Sequence, residues 1–311
     1  MLRFGTPPKY KSELFLEKTD KHLPEVLNLS TRYALLHTIA KGGRSLILAC
    51  KDLYLNRVVA YKTLRSEFKD DEIEVTRLLR EARVLAVLRH PNIIPIHDLG
   101  RDNQNNYFFT MKLVHGLTLR EILDRREEYS LRKLIDIVTK VAFALAHAHA
   151  HHVAHRDIKP ENILVGSFGE VLLLDWGLAK VWEREGNGSI EVANDTEIKT
   201  EKSMTMSGKL QGTLCYMSPE QVQRDPNINC STDIYSIGVI LYEVLFGRVP
   251  FDSEKTHEIL EFITNVEPQI PEDSQHLAVP KGLKELCLKC MSKTPKSRPK
   301  NMDEFISLLK A

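Results

Sequence analysis

Asp157, Lys159 and Asn162 fall within six residues, and Asp175 follows Asn162 by thirteen, which concentrates a carboxylate, an amine, an amide and a second carboxylate around one short stretch. Asn162 and Asp175 offer hard oxygen ligands of the kind Mg²⁺ takes beside polyphosphate. Asp157 is then left to accept a proton from a hydroxyl, and Lys159 to neutralise charge developing on transferred oxygens.

The surrounding pattern shows what must hold these groups. Tyr33 to Ile39, Ser45 to Cys50 and Val58 to Leu64 are short apolar or alternating runs separated by turn residues, which predicts three antiparallel strands. Asp70 to Leu88 switches to helical spacing and stops before Pro91; Ile93 to Leu99 and Asn106 to Leu113 predict two more strands. Five strands and one helix make a core too small for the remaining chain, so a second unit is required. Its composition is helical: Leu119 to Arg126, the alanine-rich Leu131 to His151, Pro219 to Val222, Ser231 to Phe246, Thr256 to Thr264, Lys281 to Met291 and Asn301 to Leu309. Asn162 to Val165 and Val171 to Leu174 form a hairpin just before Asp175, and the polar stretch Glu183 to Ser207 reads as a mobile loop.

Composition excludes several classes. The 311 residues carry 43 Lys and Arg against 42 Asp and Glu, so no global charge draws the chain to nucleic acid or an anionic membrane. The uncharged run Ile234 to Tyr242 is far short of the roughly 20 residues that span a bilayer. Five scattered cysteines argue for a reducing compartment. Cys287 and Cys290 are half of a zinc motif with no second pair at useful spacing, and three apart they read as a buried helix face. His147, His149, His151 and His152 resemble metal ligands when counted, yet a helix directs them to several faces.

The ordered motifs Val59-Ala60-Tyr61-Lys62, Glu81, His155 to Asn162, Asp175-Trp176-Gly177, Gly212-Thr213 with Tyr216, Ser218-Pro219-Glu220, Asp233 and Arg298 closely resemble the eukaryotic-type protein kinases, particularly bacterial serine/threonine kinases, from about Arg32 to Leu309. The resemblance implies an α+β, bilobal protein-kinase-like fold: residues 1–30 as an extension, 31–114 as a small N-lobe of five antiparallel strands with one main helix, and 115–311 as a larger, mainly helical C-lobe with an activation segment at 175–220. It implies ATP and Mg²⁺, with Mn²⁺ as a substitute, and a protein substrate. By the same likeness Lys62 holds phosphates and Glu81 orients it, Asp157 is the catalytic base, Lys159 faces phosphate, and Asn162 and Asp175 bind metal. Alone, Lys62 would read as a solvated strand lysine and Glu81 as a surface charge. Ile39, Gly42, Ile47, Ala60, Met111, Lys112, Val114 and Leu164 would surround the nucleotide. Leu85, Ile96, His155 and Trp176 would stack on the Asp233 helix, Glu220 would pair with Arg298, and Thr213 would hydrogen-bond near Asp157.

Three departures stand out. Ala40 and Ser45 replace the first and third glycines of the phosphate loop, leaving Gly42; Trp176 replaces a phenylalanine; and the 175–220 segment is long. Its Thr200, Ser203, Thr205 and Ser207 are phosphoacceptor candidates, with Arg156 the group to hold a phosphate and a dimer the route to trans-autophosphorylation. The loop substitutions motivate an alternative, a pseudokinase acting as a nucleotide-sensitive scaffold. A small-molecule kinase of similar fold is a further alternative. A cytoplasmic location is expected, either of the chain itself or as the cytoplasmic domain of a longer membrane receptor.

Overall fold

The computed structural model describes residues 28–182, 214–272 and 279–310, which divide into two compact units, 28–116 with 166–170 and the remainder. Each unit is built around its own core.

In the first unit a short helix α1 (Leu29–Arg32) leads into β1 (Tyr33–Lys41), β2 (Ser45–Asp52) and β3 (Arg57–Leu64), followed by helix α2 (Glu72–Val87), β4 (Ile96–Arg101) and β5 (Tyr107–Lys112). The strands form one antiparallel sheet in the order β1-β2-β3-β5-β4. Asp71 caps α2 by accepting from the N–H groups of Ile73 and Glu74, and Glu72 and Glu74 place negative charge in its first turn. Leu78, Ala82 and Leu85 face inward from α2, while the other sheet face gathers Cys50, Val59, Tyr61 and Phe108, with Tyr61 stacked on Phe108 at 4.3 Å. β4 begins at Ile96, three residues later than the apolar run suggests, because Pro95 has no N–H to give a ladder; ahead of it Ile93 forms only a single bridge and Ile94 is buried outside the strand.

The second unit contains β6 (Gly116–Thr118) from Leu117 on, α3 (Leu119–Leu123), α4 (Leu131–Ala150), β7 (Val153–Ala154), β8 (Ile163–Gly166) up to Val165, β9 (Val171–Leu173) and β10 (Lys180–Val181). Helices α5 (Pro219–Val222), α6 (Ser231–Phe246), α7 (Thr256–Asn265), α8 (Lys281–Cys290) and α9 (Met302–Lys310) follow. Helix α6 is buried from Thr232 to Phe246, with α4 and α8 packed on it. The α6–α8 approach depends on Gly238, where a Cβ would lie 2.4 Å from the Cβ of Cys290. Cys287 and Cys290 are thus buried against α6, Cys287 Sγ lying 3.7 Å from the Gly238 carbonyl, and burial pushes both thiols up. Among the described residues no helix is long and apolar enough to cross a membrane.

Candidate functional site

In the first unit, residues directly opposite one another across antiparallel strands share a sheet face. The pairs Ile47 with Lys62, Ala49 with Ala60, Ala60 with Met111 and Lys62 with Phe109 therefore put Ile47, Ala60, Lys62 and Met111 on one face. Lys62 Nζ reaches both carboxylate oxygens of Glu81 on α2 at 2.6 and 2.7 Å, and both residues are buried. An ammonium beneath a sheet needs such a partner to remain charged. Ile39 falls at the β-bulge between Thr38 and Ala40 and is 44% exposed. The N–H of Lys112 is committed to the Pro95 carbonyl at 3.0 Å, which removes that group from any ligand; Val114, just beyond β5, is half-buried.

The stretch from Ala40 to Ser45, matched in sequence to a phosphate loop, is a closed hairpin. Pairing continues to Ala40 with Ile47 and Lys41 with Leu46, and the Gly42 N–H donates to the Ser45 carbonyl at 2.9 Å, leaving only Gly42 to Arg44 as the loop. Neither Gly42 nor Gly43 adopts a left-handed φ; a Cβ on Gly42 would lie 3.3 Å from Ser45 Oγ.

The second unit carries the polar centre on the loop from β7 to β8. Asp233, in the first turn of α6 and wholly buried, accepts the backbone N–H of His155 on Oδ2 at 2.9 Å and that of Arg156 on Oδ1 at 2.8 Å. Arg156 has φ +69°, a left-handed conformation costing an L-residue about 1–3 kcal/mol. His155 is occupied at both nitrogens: Nδ1 takes the Asp157 N–H at 3.2 Å and Nε2 donates to the Leu174 carbonyl at 2.8 Å. With its ring edge-on to Trp176, centroids 4.5 Å apart and both residues fully buried, it braces the loop and is not disposed to act as a base.

Asp157 follows directly. Lys159 Nζ lies 2.9 and 2.8 Å from its two carboxylate oxygens, and Asn162 Nδ2 donates to the Asp157 carbonyl at 2.8 Å and to Oδ2 at 2.9 Å. This leaves the Asn162 amide oxygen as a donor for a hard cation, the role its side chain has in common with Asp175, which stands at φ +58°. Burial raises the Asp157 carboxyl above its ordinary value, the Lys159 ammonium opposes that rise, and the charge of Asp175 adds to it. Asp233 goes the other way: burial again disfavours its charge, yet the hydrogen bond from His149 and the Arg156 N–H hold it below the ordinary value. Leu164 is half-buried on β8, opposite Leu172. Glu220 and Arg298 form the expected internal ion pair, at 2.6 and 2.8 Å. Thr200, Ser203, Thr205, Ser207 and Thr213 lie outside the described residues.

Two groups escape a reading of sequence alone. Arg120 of α3 joins Glu161 at 3.2 Å, Glu243 at 2.6 Å and the Tyr216 hydroxyl. Burial together with Glu243 pushes that phenol up. The available signal was Glu243 itself, a carboxylate within the apolar second half of α6 that must find a cation. The second is His149, whose Nε2 meets Asp233 Oδ2 at 2.8 Å. Nearby, the His151 and His147 rings lie 4.4 Å apart, and His151 Nδ1 bonds to the His147 carbonyl.

Comparison with known proteins bears on the family of the chain. The protein kinase domain family matches residues 33–307. A probable serine/threonine-protein kinase of Clostridium acetobutylicum is 35% identical over 282 residues, covering 90% of this chain and 40% of that protein. Probable serine/threonine-protein kinase PknB of Lactococcus lactis is 33% identical over 285 residues (89% and 41%), and serine/threonine-protein kinase PrkC of Bacillus subtilis is 31% identical over 278 (89% and 40%). The chain spans about two fifths of the length of these relatives. With its five-stranded unit, its helical unit and the ordered motifs from Lys62 to Arg298, the chain belongs to the protein kinase domain family.

Proposed function

We propose that the chain transfers the γ-phosphoryl group of ATP to serine and threonine hydroxyls of proteins, its own included. The observation that carries this reading is Asp157, a carboxylate raised by burial, gripped through both oxygens by Lys159 and steadied by Asn162. In the proposed step the substrate hydroxyl oxygen forms a bond to the γ-phosphorus, the bond from that phosphorus to the bridging oxygen breaks, and ADP departs. The hydroxyl proton passes to an Asp157 carboxylate oxygen. A raised carboxyl is a better proton acceptor near neutrality than an ordinary aspartate. Lys159, two residues away, offsets negative charge on the oxygens being transferred. Lys62, kept charged and aimed by Glu81, takes the phosphate oxygens of ATP, and the face of Ile47, Ala60 and Met111 takes its base.

The donor set fits a magnesium ion: Asn162 has its nitrogen committed and its oxygen left over, and Asp175 supplies a carboxylate. When bound, the ion neutralises phosphate charge, and Mn²⁺ would serve the same oxygens.

Ala40 and Ser45 favour a second reading, a nucleotide-sensitive scaffold without turnover, because glycine is replaced where backbone must approach phosphate. Labelled ATP with Mg²⁺, using a generic basic protein as acceptor, separates the two. Wild type should label the acceptor and itself, the latter mapped by mass spectrometry across Thr200, Ser203, Thr205 and Ser207, while Asp157→Ala should lose about 10²–10⁴-fold of the rate. No labelling above the Asp157→Ala control, at any metal or ATP concentration, would leave the scaffold reading.

A further inference from the structure

We propose that Arg44 is a positioning residue for nucleotide phosphate: its guanidinium ties the tip of the β1–β2 hairpin to Glu74 on α2, and thereby fixes how far that tip stands from Lys62. This rests on the kinase reading for its effect on ATP, though not for its effect on the hairpin.

The tip needs a tie. Gly42 and Gly43 bring no side chain to pack, a Cβ on Gly43 would meet nothing within 4 Å, and two adjacent glycines are costly to order. The bond from the Gly42 N–H to the Ser45 carbonyl closes the turn without fastening it to another element. Polar contacts supply the anchorage. Arg65, just past β3, donates its N–H to the Arg44 carbonyl at 2.9 Å and its Nη1 to the Gly43 carbonyl at 3.0 Å. Arg44 Nη1 in turn meets Glu74 Oε1 at 2.5 Å, across 30 residues of chain.

Glu74 does not depend on the hairpin for its own satisfaction. It stands in the first turn of α2, is buried, and its Oε1 also accepts from Arg77 Nη1 at 2.8 Å, one turn along the same helix. A buried carboxylate requires such a partner, and Arg77 meets that requirement locally. The Arg44 side chain, 35% exposed, is therefore needed neither to neutralise α2 nor to fill a core. What it adds is a connection between two elements.

That connection closes a circuit. Glu74 and Glu81 are seven residues apart, two turns along one stripe of α2 and about 10 Å along its axis. Glu81 holds Lys62 at 2.6 and 2.7 Å, and Lys62 lies three residues before Arg65. The path thus runs from Lys62 to Glu81, along α2 to Glu74, across to Arg44, on to Arg65 and back along β3. With a helix and a strand as its stiff sides, the gap between the hairpin tip and Lys62 has one value while both ion pairs stand. In the kinase reading that gap receives the phosphates of ATP, and setting it beforehand removes an ordering cost from binding.

The experiment compares Arg44→Met, Glu74→Gln, the double variant and Arg44→Lys in the full chain. Arg44→Met keeps a long side chain and the backbone bond to Arg65 while removing the tie. It should raise the KM for ATP about three- to fivefold, the scale of a partly exposed ion pair, with kcat within about twofold of wild type because Lys62, Asp157 and Lys159 keep their partners. Glu74→Gln should do the same, and the double variant should be no worse than either single one, since both remove one interaction. Arg44→Lys, which keeps the charge, should stay within about twofold of wild type. A second readout needs no activity: the Arg65 amide, bonded to the Arg44 carbonyl, should exchange its hydrogen about fivefold faster in Arg44→Met and Glu74→Gln and near the wild-type rate in Arg44→Lys. Additive rises in KM in the double variant would overturn the proposal in favour of two separate roles. A lowered KM in either single variant would overturn it too, because Glu74 would then be holding Arg44 away from phosphate, and unchanged KM and Arg65 exchange in Arg44→Met would overturn it outright. If wild type proves inactive and does not bind ATP, the kinase reading fails alone and Arg65 exchange still decides for or against the tie.

Discussion

Two cation–carboxylate pairs in the helical unit have nearly the same bond lengths and opposite character. Glu220 and Arg298 meet at 2.6 and 2.8 Å with the arginine side chain 0% exposed, and all three guanidinium nitrogens have further acceptors in the carbonyls of Ser231, Ser292 and Lys293. Asp157 and Lys159 meet at 2.8 and 2.9 Å, but each side chain keeps about a sixth of its surface exposed, and the carboxyl is held above its ordinary value. A pair with every donor spent is a brace between the α5 segment and the chain before α9. A pair left open to solvent, with burial and attraction in opposition, can exchange a proton at modest cost.

The largest effect should come from breaking the brace. Arg298→Met keeps the bulk of the side chain and leaves Glu220 buried without its cation, which should cost about 3–5 kcal/mol of stability. Urea denaturation monitored by tryptophan fluorescence measures it, and a loss below about 1 kcal/mol would show that Glu220 finds water or another partner and that the pair is not a brace.

The open pair should respond in pH as well as in rate. Lys159→Met removes the ammonium that lowers the Asp157 carboxyl, so that group should rise further. A base must be unprotonated to act, so turnover disappears as pH falls through the Asp157 value. In wild type this limb should lie above the ordinary aspartate value, and in Lys159→Met it should move higher still, with kcat at its plateau down by about 10²-fold. Stability runs the opposite way: a raised carboxyl contributes stability below its unfolded value of 3.8, and that contribution is lost as pH rises through the folded value. Catalysis thus gains on the side where this residue favours folding least. A pH–rate profile of both proteins checks the shift, and coincident acid limbs would show that Lys159 does not set the charge of Asp157.

How much of this was legible depended on whether a residue's partner was local. Strands and helices with uninterrupted patterns fell where periodicity put them, α6 at Ser231–Phe246 among them, because a continuous apolar surface admits few registers. α3 stopped at Leu123, short of the expected Arg126, and β6, β7 and β10 were missed, since two or three residues of pairing leave no period to detect. In the site, the family likeness led to Lys62 and Glu81, 19 residues apart, and the spacing from Asp157 to Asn162 was itself a signal. The Arg120 and His149 contacts span 123 and 84 residues, and only the packing of α3 and α4 beside α6 brings those partners into reach.

The smallest effect concerns the five-stranded unit, and it asks whether openness at Asp157 is matched where phosphate would be received. There the hairpin is closed: Ala40 is paired with Ile47, and Ser45 closes the turn through its carbonyl. The Ser45 side chain contributes nothing to that closure, and its Oγ stands 3.3 Å from where a Cβ on Gly42 would be, so it fills space beside the backbone that must approach an anion. Ala40→Gly with Ser45→Gly should therefore lower the apparent KM for ATP, or raise turnover, by about two- to fivefold, since backbone amides gain access without losing a hydrogen bond. The opposing cost is chain entropy, about 0.5–1 kcal/mol for each glycine placed in a strand. The double variant should accordingly melt a few degrees lower while handling nucleotide better. Steady-state kinetics in ATP alongside thermal unfolding separates the two effects. Lower stability with unchanged ATP kinetics would mean that the closed hairpin already follows the productive path and that the missing glycines do not limit the reaction.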